Sequence, residues 1–190
     1  MYSIKKAEDD KKWDEIINLS PQNNIFFKSF FLNSFKKNII KKIIYKGSEP
    51  KACIALITDN KKKNIVENDI IIHSGMIFSK DFSNDTASTN IEKYRVTEFF
   101  VDYLSKNFKK ILFNTAPGID DIRPFLWLNY GKKKNVFHVY PKYTLFLNLS
   151  DFSNELEQNK VFKKMSTLRR RLIREGIRNK NKVIFSKDVD

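Results

Sequence analysis

The chain has 190 residues, of which 41% are hydrophobic and 17 are phenylalanine, so a sizeable core is available and wholesale disorder is excluded. Its net charge of +14 favours polyanionic partners in general, although the lysines that supply most of it are dispersed along the sequence. A single cysteine, Cys53, excludes an internal disulfide framework. No signal-peptide pattern and no apolar run of about 20 residues is present, so we predict a cytoplasmic protein without an integral membrane segment.

The N-terminal part of the sequence predicts one short strand and two helices. Tyr2–Lys6 is predicted as the strand, and Asp9 is placed to cap a helix through Leu19. The buried face of that helix is predicted at Trp13, Ile16 and Ile17. A second helix is predicted at Ile25–Lys37, because its phenylalanines recur at helical spacing and would form a core stripe at Phe27, Phe30, Phe31 and Phe35.

The middle of the chain predicts β-structure. Ile39–Lys46 and Lys51–Asp59 are expected to form an antiparallel hairpin with a four-residue turn at Gly47–Pro50. Ile65–Phe78 predicts one further strand or two, and the polar segment Lys80–Asn90 predicts a loop.

The remaining segments alternate between helix and strand. A helix capped by Thr89 or Asn90 is predicted to run to about Phe108 with one broad apolar face. The segments after it are predicted as a strand at Lys110–Asn114, an aromatic helix at Ile122–Tyr130, an extended stretch at Asn135–Ser150, an acidic helix around Glu155, a basic helix from about Lys160 and a strand at Lys182–Lys187. This order predicts an α/β (α+β) protein with a mixed, mostly antiparallel sheet and flanking helices.

Five of the seven arginines lie in one stretch, Arg169–Arg178. The guanidinium group presents a rigid fork of donors to phosphates and carboxylates, so this stretch is a candidate anion-binding helix. Its apolar residues recur on another face, at Val161, Met165, Leu168, Leu172 and Ile173. Gly176 leaves two alternatives open: it ends the helix early as a C′ glycine, or the helix continues through it to about Asn179.

Four segments carry motifs in a fixed order: NIFFKSFFLNSFKK (Asn24–Lys37), DIRPFLWLNYG (Asp121–Gly131), PKYTLFLNLS (Pro141–Ser150) and LRRRLIR (Leu168–Arg174). The first is similar to an F-x-S-x-x-W helix, with Leu32 at the position of the aromatic residue. The other three are similar to a D-x-R-P-F-x-W-x-x-Y segment, a P-x-Y-T-x-x-(L/I)-(D/N)-L-S strand and an R-x-x-I-R-K-A helix. Together these segments resemble the FemABX-like branch of the GNAT-superfamily N-acyltransferases.

The resemblance implies a first GNAT-like domain over residues 1–142 and the opening strand, helix and strand of a second over residues 143–190. It implies transfer of an acyl or aminoacyl group, from acyl-CoA or aminoacyl-tRNA, to an amine of a bacterial cell-envelope precursor or a nucleotide-linked sugar. The expected partners are an anionic small-molecule acceptor and, with an aminoacyl donor, tRNA. The residues expected to bind the acceptor are Lys36, Arg123, Arg170, Arg171 and Arg174.

Two of these assignments have structural alternatives. Lys36 matches a family lysine that contacts substrate phosphate, but it is equally interpreted as a solvated lysine. Arg123 either binds ligand or clamps a helix end by bonding to backbone carbonyls.

The donor site of the resembled family is missing from the sequence. GNAT enzymes hold the acyl-CoA pyrophosphate on a (Q/R)-x-x-G-x-(G/A) loop, where closely spaced glycines let the backbone approach phosphate. The five glycines here are widely separated, so we expect no cofactor site in this chain and place the donor site in the C-terminal half of a longer protein.

Other catalytic candidates are few. His73 and His138 are interpreted as core or edge residues of strands rather than as bases. Asp120 and Asp121 are candidate general bases, and Asp121 is also placed to cap the helix that follows it.

Two other functions remain open from the sequence. The Arg169–Arg178 helix could serve a nucleic-acid-binding module, which requires its basic side chains to share one exposed face. A non-catalytic assembly domain would instead present a large apolar patch.

Overall fold

The structure is a computed structural model that describes residues 1–35, 38–132, 134–143, 155 and 159–181. The chain divides into two compact units, Met1–Tyr140 and Pro141–Asp190, close to the division predicted between residues 142 and 143. The assignment of the two parts to tandem GNAT-like domains stays a prediction. Among the described helices, none has the length and apolarity needed to cross a membrane.

The first unit is built on a four-stranded antiparallel sheet. In chain order its strands are β1 (Tyr2–Lys6), β2 (Ile39–Lys46), β3 (Glu49–Ile57) and β5 (Gly75–Phe78), and each pairs with the next. The short strand β4 (Asn64–Ile65) pairs in parallel with β6 (Lys110–Ile111) in a separate sheet. The α+β class and the antiparallel sheet predicted from the sequence are therefore confirmed.

Strand β3 is buried on both faces. All of its residues from Lys51 to Ile57 are buried. Because successive side chains of a strand point to opposite faces, they divide between two apolar clusters, with Cys53, Ala55 and Ile57 in one and Ala52, Ile54 and Leu56 in the other. An unbroken apolar run such as ACIALI is typical of a strand that is covered on both sides.

Helices cover both faces of this sheet. The cluster that contains Cys53 includes side chains of α1 (Asp10–Leu19) and α2 (Ser29–Ser34), at Trp13, Ile17 and Leu32. The opposite cluster includes side chains of α3 (Ala87–Asn107), at Val96, Phe100, Val101 and Leu104. The first unit is thus a helix–sheet–helix sandwich with two cores.

The aromatic helix predicted at Ile25–Lys37 is wrong in part. The chain forms a 3-10 turn at Ile25–Phe27 and then α2, and the side chain of Phe30 is 65% exposed. Tertiary hydrogen bonds explain the break: the Phe27 carbonyl accepts from the Trp13 indole at 2.7 Å, and the Ser29 amide donates to Asp14 at 2.8 Å. These tertiary hydrogen bonds replace backbone hydrogen bonds that a continuous helix would make. The tertiary contacts therefore break the helix despite the helical spacing of the phenylalanines.

Two element boundaries also differ from the prediction. The β2–β3 hairpin turns over Gly47 and Ser48 alone, because Lys46 pairs with Glu49, rather than over four residues. Helix α3 begins at Ala87, since Thr86 caps it and forms a capping box with Thr89. Thr89 is therefore the third residue of the helix and not its cap.

The end of the first unit contains one more helix, α4 (Arg123–Trp127), within the aromatic helix predicted at Ile122–Tyr130. Residues 135–143 form no strand, contrary to the extended stretch predicted to begin at Asn135. The rest of that stretch, most of the predicted acidic helix and the strand predicted at Lys182–Lys187 lie outside the described residues.

The described part of the second unit contains two basic helices, α5 (Lys160–Lys164) and α6 (Thr167–Arg178), where the sequence predicts one from about Lys160. The chain is extended at Met165 and Ser166 between them, and the Ser166 hydroxyl caps α6 by accepting from the Arg169 amide at 3.4 Å. Helix α6 passes through Gly176, which confirms the alternative in which the helix continues.

We expect Gly75→Ala to destabilise the protein more than Gly47→Ala. Both glycines have a positive φ, 90° and 62°, so each alanine incurs left-handed strain of about 1–2 kcal/mol. A Cβ at Gly75 would also lie 2.7 Å from the Phe113 ring, whereas one at Gly47 meets nothing within 4 Å. Overpacking costs about 1–3 kcal/mol, so urea unfolding should show a larger decrease in the free energy of unfolding for Gly75→Ala than for Gly47→Ala. An equal decrease for the two variants would contradict the close packing at Phe113.

Candidate functional site

An open cleft of about 820 Å³ lies in the first unit, beside the N-terminal half of α3 and against α4. Charged side chains of both signs line it, at Asp85, Lys93, Asp120, Asp121 and Arg123, together with three aromatic residues, Phe78, Tyr94 and Trp127. A concave space with a few polar groups and aromatic walls is the usual form of a small-molecule site. It is the candidate functional site of the first unit.

Helix α3 contributes one polar stripe to the cleft. Its residues Asn90, Lys93, Tyr94 and Thr97 follow the i, i+3, i+4, i+7 spacing of one helix face. Thr97 also lies four residues before the buried Val101, so the stripe continues the face that packs on the sheet. The same helix face is therefore apolar where it covers the sheet and polar where it lines the cleft.

Arg123, the first residue of α4, is fixed in the cleft by a carboxylate and two rings. Its Nε lies 2.9 Å from Asp121 Oδ1 and its Nη2 lies 2.6 Å from Asp121 Oδ2. Its guanidinium carbon lies 5.3 Å from the Tyr94 ring centroid and 5.5 Å from that of Trp127, within cation–π range. The side chain is still 57% exposed, so it is accessible to a ligand.

Asp121 lies just before α4 and orients Arg123. Its Oδ1 accepts a hydrogen bond from the Arg123 amide at 3.1 Å, but the N-cap of α4 is Ile122, which makes no side-chain capping bond, so Asp121 is not the helix cap predicted from the sequence. The hydrogen bonds from the Arg123 side chain lower the pKa of the Asp121 carboxyl below its usual value. A carboxylate held ionised in this way is a poor proton acceptor.

Lys93 and Asp120 differ from this pair, because neither side chain has an ion pair or hydrogen bond within the described part of the chain. Both also line a second pocket of about 360 Å³, next to Gln22 and Gly118, so the two spaces share these residues. Asp120 is exposed and Lys93 is half-buried. One cationic and one anionic group are thus available for a ligand at the junction of the two spaces.

The residues predicted to bind an anionic acceptor are divided between the two units. Arg123 lies in the cleft, whereas Arg170, Arg171 and Arg174 lie on α6 in the other unit. Lys36 lies outside the described residues. The roles predicted for Lys36 and for the α6 arginines therefore stay predictions.

The two histidines have separate surroundings. His73 is half-buried, its Nδ1 lies 3.1 Å from the Thr115 carbonyl oxygen, and its ring contacts Phe26 edge-on. His73 lies two residues before β5, so its predicted place in a strand is wrong, whereas its hydrogen bond and ring contact agree with the structural role predicted for it. His138 is exposed in an irregular segment, so its predicted place in a strand is wrong.

No group of three or more histidine, cysteine or carboxylate side chains that could hold a metal ion occurs among the described residues. Comparison of the chain with protein-family models, with curated proteins and with solved structures finds no match. The function therefore has to be argued from the cleft and from the motifs of the sequence.

The α3 contribution to the cleft was missed in the sequence because the predicted helix was described only by its apolar face. A signal was present: Asn90, Lys93 and Thr97 occupy the phase of the buried face, where apolar residues are expected. Polar side chains at core-phase positions are costly unless something satisfies them. They therefore indicate a site rather than a solvated face.

We expect Asp121→Asn to lower the free energy of unfolding at neutral pH and to have little effect in acid. Since the pKa of Asp121 is lower in the folded chain, its charge stabilises the fold above its unfolded pKa of about 3.9. That contribution is lost as the pH falls through the folded pKa. Urea titrations between neutral pH and acid should show the wild-type advantage shrinking below a pH of about 4.

Asp102→Asn provides the control for the loss of one exposed carboxylate, since Asp102 pairs with Lys106 on the outer surface of α3. If the difference between wild type and Asp121→Asn stayed constant across the acid range, the ion pair with Arg123 would not be the source of the stability.

Proposed function

We propose that the first unit binds the acceptor substrate of a FemABX-like N-acyltransferase, a small molecule that carries a primary amine and an anionic group. A nucleotide-linked amino sugar or an amine-bearing cell-envelope precursor has this chemistry. The acyl or aminoacyl donor, an acyl-CoA or an aminoacyl-tRNA, would be held by residues outside this chain.

The observation that carries the proposal is the pairing of opposite unpaired charges in one cleft. Asp120 offers a carboxylate to an ammonium group, and Lys93 offers an ammonium to a phosphate or carboxylate. A ligand that has only one sign of charge would leave one of them uncompensated. A ligand with an amine and an anionic group satisfies both.

Asp120 has the chemistry that acyl transfer to an amine requires. An ammonium group must lose a proton before or during its attack on an acyl carbonyl, and a carboxylate in contact with it accepts that proton. In the reaction the carboxylate takes one proton from the ammonium group and the amine nitrogen bonds to the acyl carbon. The bond from that carbon to the sulfur or ribose oxygen of the donor then breaks, and a second proton from the nitrogen passes to this leaving sulfur or oxygen. Asp121 is unsuited to this role because Arg123 holds it ionised.

The aromatic walls favour an acceptor with a planar part. The rings of Tyr94 and Trp127 form a T-shaped contact, 6.2 Å apart between centroids at an angle of 65°, and the Arg123 guanidinium lies near both. A nucleobase stacks on such a surface, while Arg123 and Lys93 lie beside it for the phosphates. This favours a nucleotide-linked acceptor over one without a base.

The resemblance supports the same assignment from an independent direction. The segment DIRPFLWLNYG, one of the four that resemble the FemABX-like proteins, supplies four cleft residues: Asp121, Ile122, Arg123 and Trp127. The antiparallel sheet with helices on both faces is compatible with the GNAT-like domain that the resemblance implies.

The proposal is tested by titrating a nucleotide-linked amino sugar and its N-acetylated form into the protein, with affinity measured by calorimetry and by NMR line shifts. We expect the free-amine form to bind at least about tenfold tighter, because only it can pair with Asp120. Asp120→Asn should remove that preference, whereas Lys93→Gln and Arg123→Gln should weaken both forms by about tenfold.

Arg95→Gln is the matched control, since Arg95 is an exposed guanidinium on α3 that does not line the cleft. Its affinity should equal that of the wild type. Equal binding of the amine and N-acetyl forms to the wild-type protein, or no binding of either at millimolar concentration, would contradict the proposal.

A further inference from the structure

The smaller pocket of the first unit, of about 360 Å³, has no role in the proposed function. It adjoins the larger cleft, because Phe78, Lys93 and Asp120 line both spaces. The residues that line the smaller pocket alone are uncharged, and most are apolar or small: Pro21, Gln22, Phe82, Ser83, Pro117 and Gly118. The pocket therefore differs in chemistry from the cleft, which has further charged side chains of its own.

The polar side chains that belong to this pocket alone are already bonded within the chain. The Gln22 Nε2 donates to the Pro117 carbonyl oxygen at 2.8 Å, and the Gln22 Oε1 accepts from the Phe78 amide at 2.8 Å. The Gln22 amide thus joins two walls of the pocket. The Ser83 hydroxyl donates to the Lys80 carbonyl oxygen at 2.7 Å. With these groups occupied, the pocket suits an apolar part of a ligand.

Acyl transfer brings a second group next to Asp120. The amine nitrogen that loses a proton to this carboxylate bonds to the acyl carbon, so the acyl group begins at the same contact. In the proposed function, the planar and anionic parts of the acceptor lie in the larger cleft, beside Trp127 and Arg123. The smaller pocket is lined by the same Asp120 and is left free by the acceptor.

We propose that the smaller pocket holds the acyl group while it is transferred, and that this group is a short, uncharged acyl chain. The inference rests on the proposed function, because it takes Asp120 as the residue that contacts the acceptor amine. Apolar walls suit an aliphatic chain, and the volume of about 360 Å³ limits its length. The donor is then of the acyl-CoA class, and its carrier portion stays outside the pocket.

An aminoacyl group would bring an ammonium group into this pocket. Two charged residues line the pocket, Lys93 and Asp120. Asp120 is occupied by the acceptor amine, and Lys93 repels a second cation. An ammonium group that leaves water without a partner is unfavourable. The charges at the pocket therefore favour an uncharged acyl group over an aminoacyl group.

The test extends the calorimetric titration to the N-formyl, N-acetyl, N-propionyl and N-butyryl forms of the nucleotide-linked amino sugar. We expect the affinity to rise by about fourfold for each added methylene until the chain fills the pocket, because apolar surface is buried. Equal affinity for all four forms would mean that the chain lies in water, and would overturn the inference. A preference for the free amine over the N-acetyl form would still support the proposed function in that case.

Ser83→Phe narrows the smaller pocket, since Ser83 is exposed and does not line the larger cleft. It should lower the ratio of N-butyryl to free-amine affinity by about tenfold or more. Ser105→Phe is the matched control, because Ser105 is an exposed serine of α3 whose hydroxyl donates to the Asp102 carbonyl oxygen. It should leave the ratio unchanged, and circular dichroism should show that both variants are folded. An unchanged ratio in Ser83→Phe would contradict the inference.

Amide NMR shifts locate the acyl chain directly. Phe82 lines only the smaller pocket, and Ile122 lines only the larger cleft. The Ile122 amide should shift with the free amine and with its N-butyryl form, whereas the Phe82 amide should shift only with the N-butyryl form. A Phe82 shift that is as large with the free amine would place part of the acceptor in the smaller pocket, and the inference would be wrong.

The N-glycyl form separates an acyl group from an aminoacyl group. It matches the N-propionyl form in size but ends in an ammonium group. In Asp120→Asn, which has no carboxylate at the junction, the N-propionyl form should bind at least about tenfold tighter, because the glycyl ammonium lies near Lys93. Equal or tighter binding of the N-glycyl form would overturn the restriction to uncharged chains. Failure of every form to bind the wild type, the free amine included, would instead contradict the proposed function itself.

Discussion

The double-sided burial of β3 is the constraint on which the rest of the first unit depends. A strand with apolar side chains on both faces requires a helical layer on each side, and α1, α2 and α3 supply them. The burial also raises the pKa of the Cys53 thiol and keeps it inert. At the start of the strand, buried Lys51 pairs with Glu49 and with Asp81, at 2.9 and 2.8 Å, so that its charge is compensated at the edge of the core.

The cleft follows from the way α3 extends beyond this sheet. Val96, Phe100 and Leu104 fix the rotation of the helix by packing on one face of the sheet. The N-terminal turns keep the same rotation, so Lys93 and Tyr94 are directed toward the loop before α4 instead of toward strands. There the polar residues meet Arg123 and Trp127, and the helix face that makes a core at one end makes a candidate binding site at the other.

The sequence predicted those elements whose local pattern and tertiary environment agree. The hairpin strands and the Asp9-capped helix were recognisable, because capping and burial act within a few residues. The break at Lys28 was not, since it depends on a hydrogen bond donated by Trp13 and one accepted by Asp14, both on another helix. Of the cleft residues, Arg123 was identified from the sequence as a candidate for ligand binding, because it is a rare arginine within a motif. Lys93 was not identified, because lysines are numerous in this chain and only its position on the helix distinguishes it from the others.

The distribution of charge in the cleft differs from that of the chain as a whole. In the cleft, three carboxylates (Asp85, Asp120 and Asp121) outnumber the two cations Lys93 and Arg123, so the net charge of +14 does not extend into it. The choice of ligand there would depend on the placement of individual charged groups and on the aromatic rings beside them. The basic composition of the chain therefore does not identify the ligand of this site.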